Sequence, residues 1–267
     1  MRDVRVGHAV FAVVLIALGI QGLFKGDFVV PWQPVPQGVP ARELLVYLSG
    51  GVALASGMGL LWRRTAALAA RVLLASFVLW LLLFRVRALF LAPLVAGTWS
   101  CGQTLVMAAA AWVLLCELAT DWDHEHLRFA TGERGMRLAR IVYGLGLIPF
   151  GYAHFAYVKA TADLVPGWLP WHVAWAYVTG GAFVAAALAV IFGVWARLAT
   201  VLSVLQMGLF GLLVWVPRLV AGSLTPFQRV EVVTTVALTA AGWVVADSFA
   251  AAGTDSFRYN TSRSRRP

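Results

Sequence analysis

The chain has 267 residues, 61% of them hydrophobic and 12% charged, with a formal net charge of +9 and a mean hydropathy of +0.80. A soluble domain carries about twice that charged share, and the apolar residues come in runs of about twenty, the length that crosses a hydrocarbon core. The composition excludes a soluble enzyme and predicts an all-α, polytopic membrane protein whose first partner is the lipid bilayer. No basic run is interleaved with stacking aromatics in a polar segment, so nucleic acid is not an expected partner.

Behind the short basic lead Met1–Arg5, the apolar run from Val6 to Phe24 has no A-x-A cleavage site after it, and it is read as a retained first helix. Lys25–Pro40 carries Pro31, Pro34, Pro36 and Pro40, which fix φ and push their predecessors out of the helical region, so this connection is extended and stiff. Ala41–Trp62 and Thr65–Val86 are the second and third helices. The largely apolar Arg87–Thr98 is expected to lie in the interface, and Ser100–Ala119 is the fourth helix. Cys101 and Cys116 fall on that helix about 22 Å apart, beyond the reach of a disulfide. No C-x-x-C occurs anywhere, so dithiol chemistry lacks its reagents within the chain. The polar segment Thr120–Arg137 is the one plausible linker. Leu138–Val158, His172–Trp195, Leu198–Val216 and Phe227–Ala250 complete eight transmembrane helices. The Ser/Arg-rich tail, 251–267, is expected to be disordered. The units are therefore 1–119, a linker 120–137, 138–250, and the tail.

A motif at one end of the second half occurs twice. Val165-Pro166-Gly167-Trp168-Leu169-Pro170, followed by Tyr177, Gly180 and Gly181, reappears 130 residues earlier. There it reads Val35-Pro36-Gln37-Gly38-Val39-Pro40, followed by Tyr47, Gly50 and Gly51. Leu68-Ala69 and Leu198-Ala199 keep the same offset. A fixed spacing over that distance predicts an internal duplication. Four helices per copy give the two repeats the same orientation, related by an axis along the membrane normal. Gly51, Ala55 and Gly59, and Gly181, Ala185, Ala189 and Gly193, recur at four-residue spacing and predict flat strips for close helix packing. Thirteen Lys and Arg lie on the side holding both termini and seven on the other. The excess of basic residues predicts an inner-membrane protein with both termini cytoplasmic.

The candidate ligand mouth on the outer side comprises His154, Lys159, Asp163 and His172 in the second copy, with Arg85 and Arg218 at the same level. Ionisable groups among tryptophans there suit a molecule with a polar head and an apolar body, although an interfacial belt needs the same residues. His154 and His172 could share a metal or ligate a haem from one side, but no second pair at a matching depth is present, so no metal or haem is expected. His124-Glu125-His126 in the acidic loop is not a defined metal site. Arg71 lies about two turns inside helix three, where an unpaired charge is costly, and Glu117 at comparable depth is its expected partner. No Walker loop, dinucleotide fingerprint, H-E-x-x-H or nucleophile elbow is present.

The second copy resembles the DoxX-like membrane proteins. The resemblance is carried by His154-Phe155, Leu164 to Pro170, Trp175-Ala176-Tyr177-Val178-Thr179-Gly180-Gly181 and Arg197-Leu198-Ala199. It covers about Leu138–Asp247, and more weakly Val10–Glu117, where Phe24 stands in place of His154. The resemblance implies a compact four-helix unit, present here as a tandem pair. Founding members are linked to thiosulfate:quinone oxidoreductase, so it also implies quinone-linked membrane redox metabolism without supplying a catalytic residue. The expected roles are an accessory subunit that anchors a membrane or peripheral redox protein, or one that binds a small apolar molecule such as a quinone or lipid. The alternatives are a small-molecule or lipid transporter and a catalytic quinone-linked oxidoreductase subunit.

Overall fold

A computed structural model describes residues 5–29, 32 and 35–263, with side chains as far as residue 250. Pro31 and Pro34 therefore lie outside the described residues. Among the described residues the chain is helical and contains no strand. The elements are α1 Val6–Lys25, α2 Arg42–Leu61, α3 Ala66–Leu91, α4 Leu94–Leu118, α5 Asp121–His126, α6 Gly132–Ala156, α7 Val158–Ala162, α8 His172–Phe192, α9 Ala196–Val220 and α10 Pro226–Arg263. Seven of these (α1 to α4 and α8 to α10) are long and apolar enough to cross a membrane, which makes this a multi-pass membrane protein. The eighth expected span, α6, has the length, at 25 residues. Its first turns carry Glu133, Arg134, Arg137 and Arg140, however, and Gly, Tyr and Pro149 dilute the rest.

Several boundaries move from the sequence reading. Helix three does not stop at Val86 with an interfacial segment behind it. It continues to Leu91, breaks at Ala92-Pro93, and α4 starts at Leu94. Pro93 removes one N–H and forces its predecessor out of the helix, so the whole break fits in two residues. The expected linker is structured as well. α5 occupies 121–126, Trp112 Nε1–H donates to the Ala130 carbonyl (2.8 Å), and Cys116 Sγ–H donates to the same oxygen (3.3 Å). The backbone beyond Ala250 is helical to Arg263, where a disordered tail was expected. Between Pro226 and Pro267 there is no proline, and helix propagation adds a bond for each residue fixed.

α1 packs on α2, α2 on α3, and α3 on α4; α6 packs on α8, α8 on α9, and α9 on α10. Closure within a set is sparse, with α10 meeting α6 at only a few positions. α4 packs on α6, α10 packs on α1, and α4 and α10 meet across the middle. The apolar windows of α4 and α10 are accordingly 72% and 50% buried, more than in any other candidate span. In lipid the contact surfaces are set by packing, and small residues decide how near two backbones come. A Cβ on Gly19 would lie 2.8 Å from the Gly50 carbonyl, and one on Gly151 would lie 2.8 Å from that of Gly180. Between α4 and α6, Gly102 and Gly146 face each other's carbonyls at 2.8 and 3.0 Å in the same way. His8 adds a polar tie, its Nε2–H donating to the Leu60 carbonyl at 2.9 Å.

The small-residue strips are displaced from their expected register. Ala55 and Ala185 are exposed, and a Cβ on Gly51 or Gly181 would meet nothing within 4 Å. The buried faces run through Gly50, Ala53 and Gly57 and through Gly180, Phe183 and Ala187. Spacing alone identifies a strip, but the neighbouring helix decides which face is covered.

Element bounds recur at the offset of the sequence motif. α3 and α9 begin at Ala66 and Ala196 and carry π turns at Leu81–Arg85 and Gly211–Trp215. Ala41 and Trp171, which precede α2 and α8, both adopt left-handed backbone (φ 52° and 56°), a conformation uncommon for residues other than glycine. The first connection folds inward. Trp32 is 1% exposed, stacks on Phe77 at 5.4 Å, and accepts the Trp80 indole N–H on its carbonyl at 3.1 Å.

Candidate functional site

Of the six expected mouth residues, the structure joins two. Arg218, on the last turn of α9, donates from Nη2 to the Asp163 carbonyl at 3.3 Å, with its guanidinium 5.9 Å from the Trp215 ring. His154 is committed to its own helix. Its Nδ1 lies 2.7 Å from the Phe150 carbonyl, which can only accept, so Nδ1 carries the proton. The imidazole packs against Phe183 at 5.4 Å, and its Cβ fits the space left by Gly180. Lys159 is exposed and His172 half-buried, and neither bonds to another member of the set. Among the described residues no three His, Cys, Asp or Glu side chains group as metal ligands.

Arg85 is not at a mouth. It is 1% exposed, enclosed between α3 and α4, with Nε donating to Thr104 Oγ1 at 3.1 Å. Its carbonyl accepts the Cys101 thiol at 3.3 Å. The helix runs past it to Leu91, so Arg85 is interior, and the π turn that ends on it aims it at α4. π turns concentrate at functional sites. In the second half Trp215, 130 residues on, ends the other π turn and donates Nε1–H to Thr235 at 3.0 Å. The two donors are alike in placement and differ in charge.

The expected Arg71–Glu117 pair is also corrected. Arg71 Nη2 donates to Asp123 Oδ2 at 2.8 Å, and Glu117 accepts from Arg5 at 2.6 Å. Depth along the helices suggested Glu117, but the linker helix brings Asp123 over α3. The Thr120 N–H and hydroxyl both donate to Asp123 at 2.7 Å, forming a capping box on α5. Trp122 lies under the Arg71 guanidinium at 4.9 Å and stacks on His126 at 4.6 Å. Burial alone would raise the pKa of the Asp123 carboxyl. The hydrogen bonds from Arg71 and Thr120, together with the Arg71 charge, outweigh it and hold the pKa below the usual carboxylate value.

The feature that sequence reading did not anticipate is a cleft of about 1670 Å³ where α6, the end of α8, the start of α9 and the end of α10 converge. Arg5, Arg137, Arg140 and Arg197 line it, with Glu117 and Glu133, and Val190, Ile191, Phe192, Leu198 and Val201 make its apolar wall. Arg140 is anchored by the Ser248 hydroxyl (3.1 Å) and carbonyl (2.8 Å) and lies 4.0 Å from the Phe249 ring centre. The sequence offered one signal, the i, i+3 spacing of Arg137 and Arg140 on a single helix face. Arg5 and Arg197 come from elements that no local pattern connects to it. An apolar wall with guanidinium groups beside it can hold a molecule that is itself polar at one end. Comparison with protein-family models, with curated proteins and with solved structures finds no match.

Proposed function

We propose that this chain is a tandem pair of DoxX-like four-helix units, with α6 as the eighth span. It would reside in the inner membrane with both termini cytoplasmic. Its function would be to bind a small amphipathic molecule, a quinone or a lipid, as an accessory or anchoring subunit of membrane redox metabolism. The duplication is supported by the 130-residue offset between Ala66 and Ala196, between the two π turns and between the left-handed Ala41 and Trp171. It is further supported by the equivalent bonds Arg85–Thr104 and Trp215–Thr235. The orientation is favoured by the thirteen-to-seven distribution of Lys and Arg.

The observation that carries the binding role is the cleft, about 1670 Å³, with arginines beside a hydrocarbon wall. Sites for small molecules are mostly apolar with a few convergent polar groups, and this one has both. The test is native mass spectrometry of the protein purified in mild detergent, followed by titration with a ubiquinone analogue and with phospholipids. Retention of one class at a defined stoichiometry is expected, and a protein that retains none sinks the reading. Labelled-solute uptake into liposomes and quinone reduction by the purified chain separate this role from transport and from catalysis.

A further inference from the structure

We infer that the cleft binds the phosphate head of an anionic membrane lipid, with Arg137 on α6 and Arg197 on α9 as its direct donors. This rests on the proposed amphipath-binding role and deepens it by assigning the chemistry of the polar end.

Four guanidinium groups line the cleft against two carboxylates, but they are not equivalent. Arg5 is engaged by Glu117 at 2.6 Å and the Asp247 carbonyl at 3.0 Å. Arg140 is engaged by Ser248 and the Phe249 ring. Arg137 and Arg197 are exposed and make no hydrogen bond or ion pair among the described residues. Two forked donors with no internal partner therefore stand on different helices of one cleft. Glu133, the nearest opposing charge on α6, is exposed and likewise unpaired among the described residues. A planar guanidinium matches two phosphate oxygens at once, whereas a quinone carbonyl offers only one weakly basic acceptor and no charge. Arg140, fixed behind them, adds positive potential without having to be released from Ser248.

The apolar wall selects a lipid over a soluble phosphate. Phe192 is 74% exposed and Leu198 54% exposed, both adjoining the arginines. Trp195, at 81% exposure, stands directly before Ala196 at the start of α9. Tryptophan and arginine together at the end of a spanning helix mark the headgroup level of a bilayer. The cleft is also larger than the roughly 300–1,000 Å³ that accommodates a drug-sized ligand, and so has room for a phosphoglycerol head and the upper part of an acyl chain.

The test titrates the full-length protein in detergent with phosphatidylglycerol, phosphatidylcholine and inorganic phosphate, read by native mass spectrometry. Wild type is expected to prefer phosphatidylglycerol over phosphatidylcholine by about 30-fold, from about 1 kcal/mol for each of two arginines. R137Q/R197Q should abolish that preference. R63Q/R64Q, which removes the same charge from the α2–α3 connection, should leave it intact. Circular dichroism confirms that each variant keeps its helix content, and R137K/R197K, which keeps the charge but loses the fork, should retain part of the preference. Equal binding of the two lipids overturns this inference while leaving the amphipath reading standing. Retention of neither lipid nor quinone by folded wild type overturns that reading itself. Preference that survives in R137Q/R197Q overturns the cleft assignment, and arginine-dependent binding of inorganic phosphate without lipid retention overturns the lipid source.

Discussion

Replacing Asp123 by asparagine isolates the contact that ties the linker to the bundle. Asp123 is fully buried and accepts from Arg71, the Thr120 N–H and the Thr120 hydroxyl. Asparagine has the same shape but loses the charge and turns an NH₂ toward donors. Removing one member of a buried ion pair costs about 3–5 kcal/mol. The Arg71 side chain is 26% exposed, so water recovers part of its solvation and the pair accounts for about 2 kcal/mol. Weakening the cap on α5 adds about 1 kcal/mol. A total near 3 kcal/mol should lower the unfolding midpoint by about 6–12 °C, measured by tryptophan fluorescence in detergent, where Trp122 beside Arg71 also reports locally. R71L/D123L should lose less than the sum of its single variants. The pH dependence has a definite sign. Because the folded pKa lies below the unfolded one, the carboxylate's contribution is complete about one unit above the unfolded value, near pH 5, and is lost as pH falls through the folded value. Wild type and D123N should therefore differ by a constant amount above about pH 5 and converge in stronger acid. A midpoint for D123N within about 1 °C of wild type at neutral pH would refute the reasoning.

Two other comparisons use neighbouring or equivalent residues as internal controls. G180A should destabilise because its Cβ would meet the His154 Cβ at 2.8 Å, whereas G181A, with nothing within 4 Å, should be neutral or stabilising by up to about 1 kcal/mol; thermal midpoints moving together would contradict the displaced packing face. T104V removes an acceptor from a buried guanidinium and should cost about 1.5–3 kcal/mol, while T235V, which deprives a neutral indole, should cost about 0.5–1.5 kcal/mol. Denaturation of the two variants in parallel checks the order.

The residues that were legible in sequence are those whose effect is local. Apolar run length placed α1, α2 and α8 within a few residues, since Pro40, Gly26 and Gly193 end or precede helices by their own backbone preferences. Azimuth and partner were not legible. Depth along the helices points from Arg71 to Glu117, and only the path of α5, which no spacing reveals, brings Asp123 out of the linker to take that place. Ending helix three at Val86 puts Arg85 and Arg87 at a helix end. The helix absorbs both by continuing to Leu91, and a π turn has no spacing signature to announce it. The cleft draws on five helices and on Arg5 ahead of α1, spread from Arg5 to Phe249, and no window of sequence contains enough of it to be recognised.

On the proposed duplication, the second-half cleft should have a first-half counterpart, and the linker lies over its wall. Val201 lines the open cleft, and the position 130 residues before it is Arg71. Arg71 holds Asp123, and Trp122 lies against its guanidinium, so α5 covers the first-half counterpart of the cleft wall. In the second half the helix after Asp247 instead runs straight on through α10, leaving Val201 uncovered. The chain should then bind one tightly held lipid rather than two. The counterparts of Arg137 and Arg197 are Gly7 and Ala67, so D123A, which removes the clasp on α5, should uncover an apolar wall with no headgroup donor and leave the count at one lipid, which R137Q/R197Q removes. Two equivalent lipids on wild type, counted by native mass spectrometry, would show that α5 does not occlude the first-half site, and a second phosphatidylglycerol held by D123A would show that the two arginines are not what retains the headgroup.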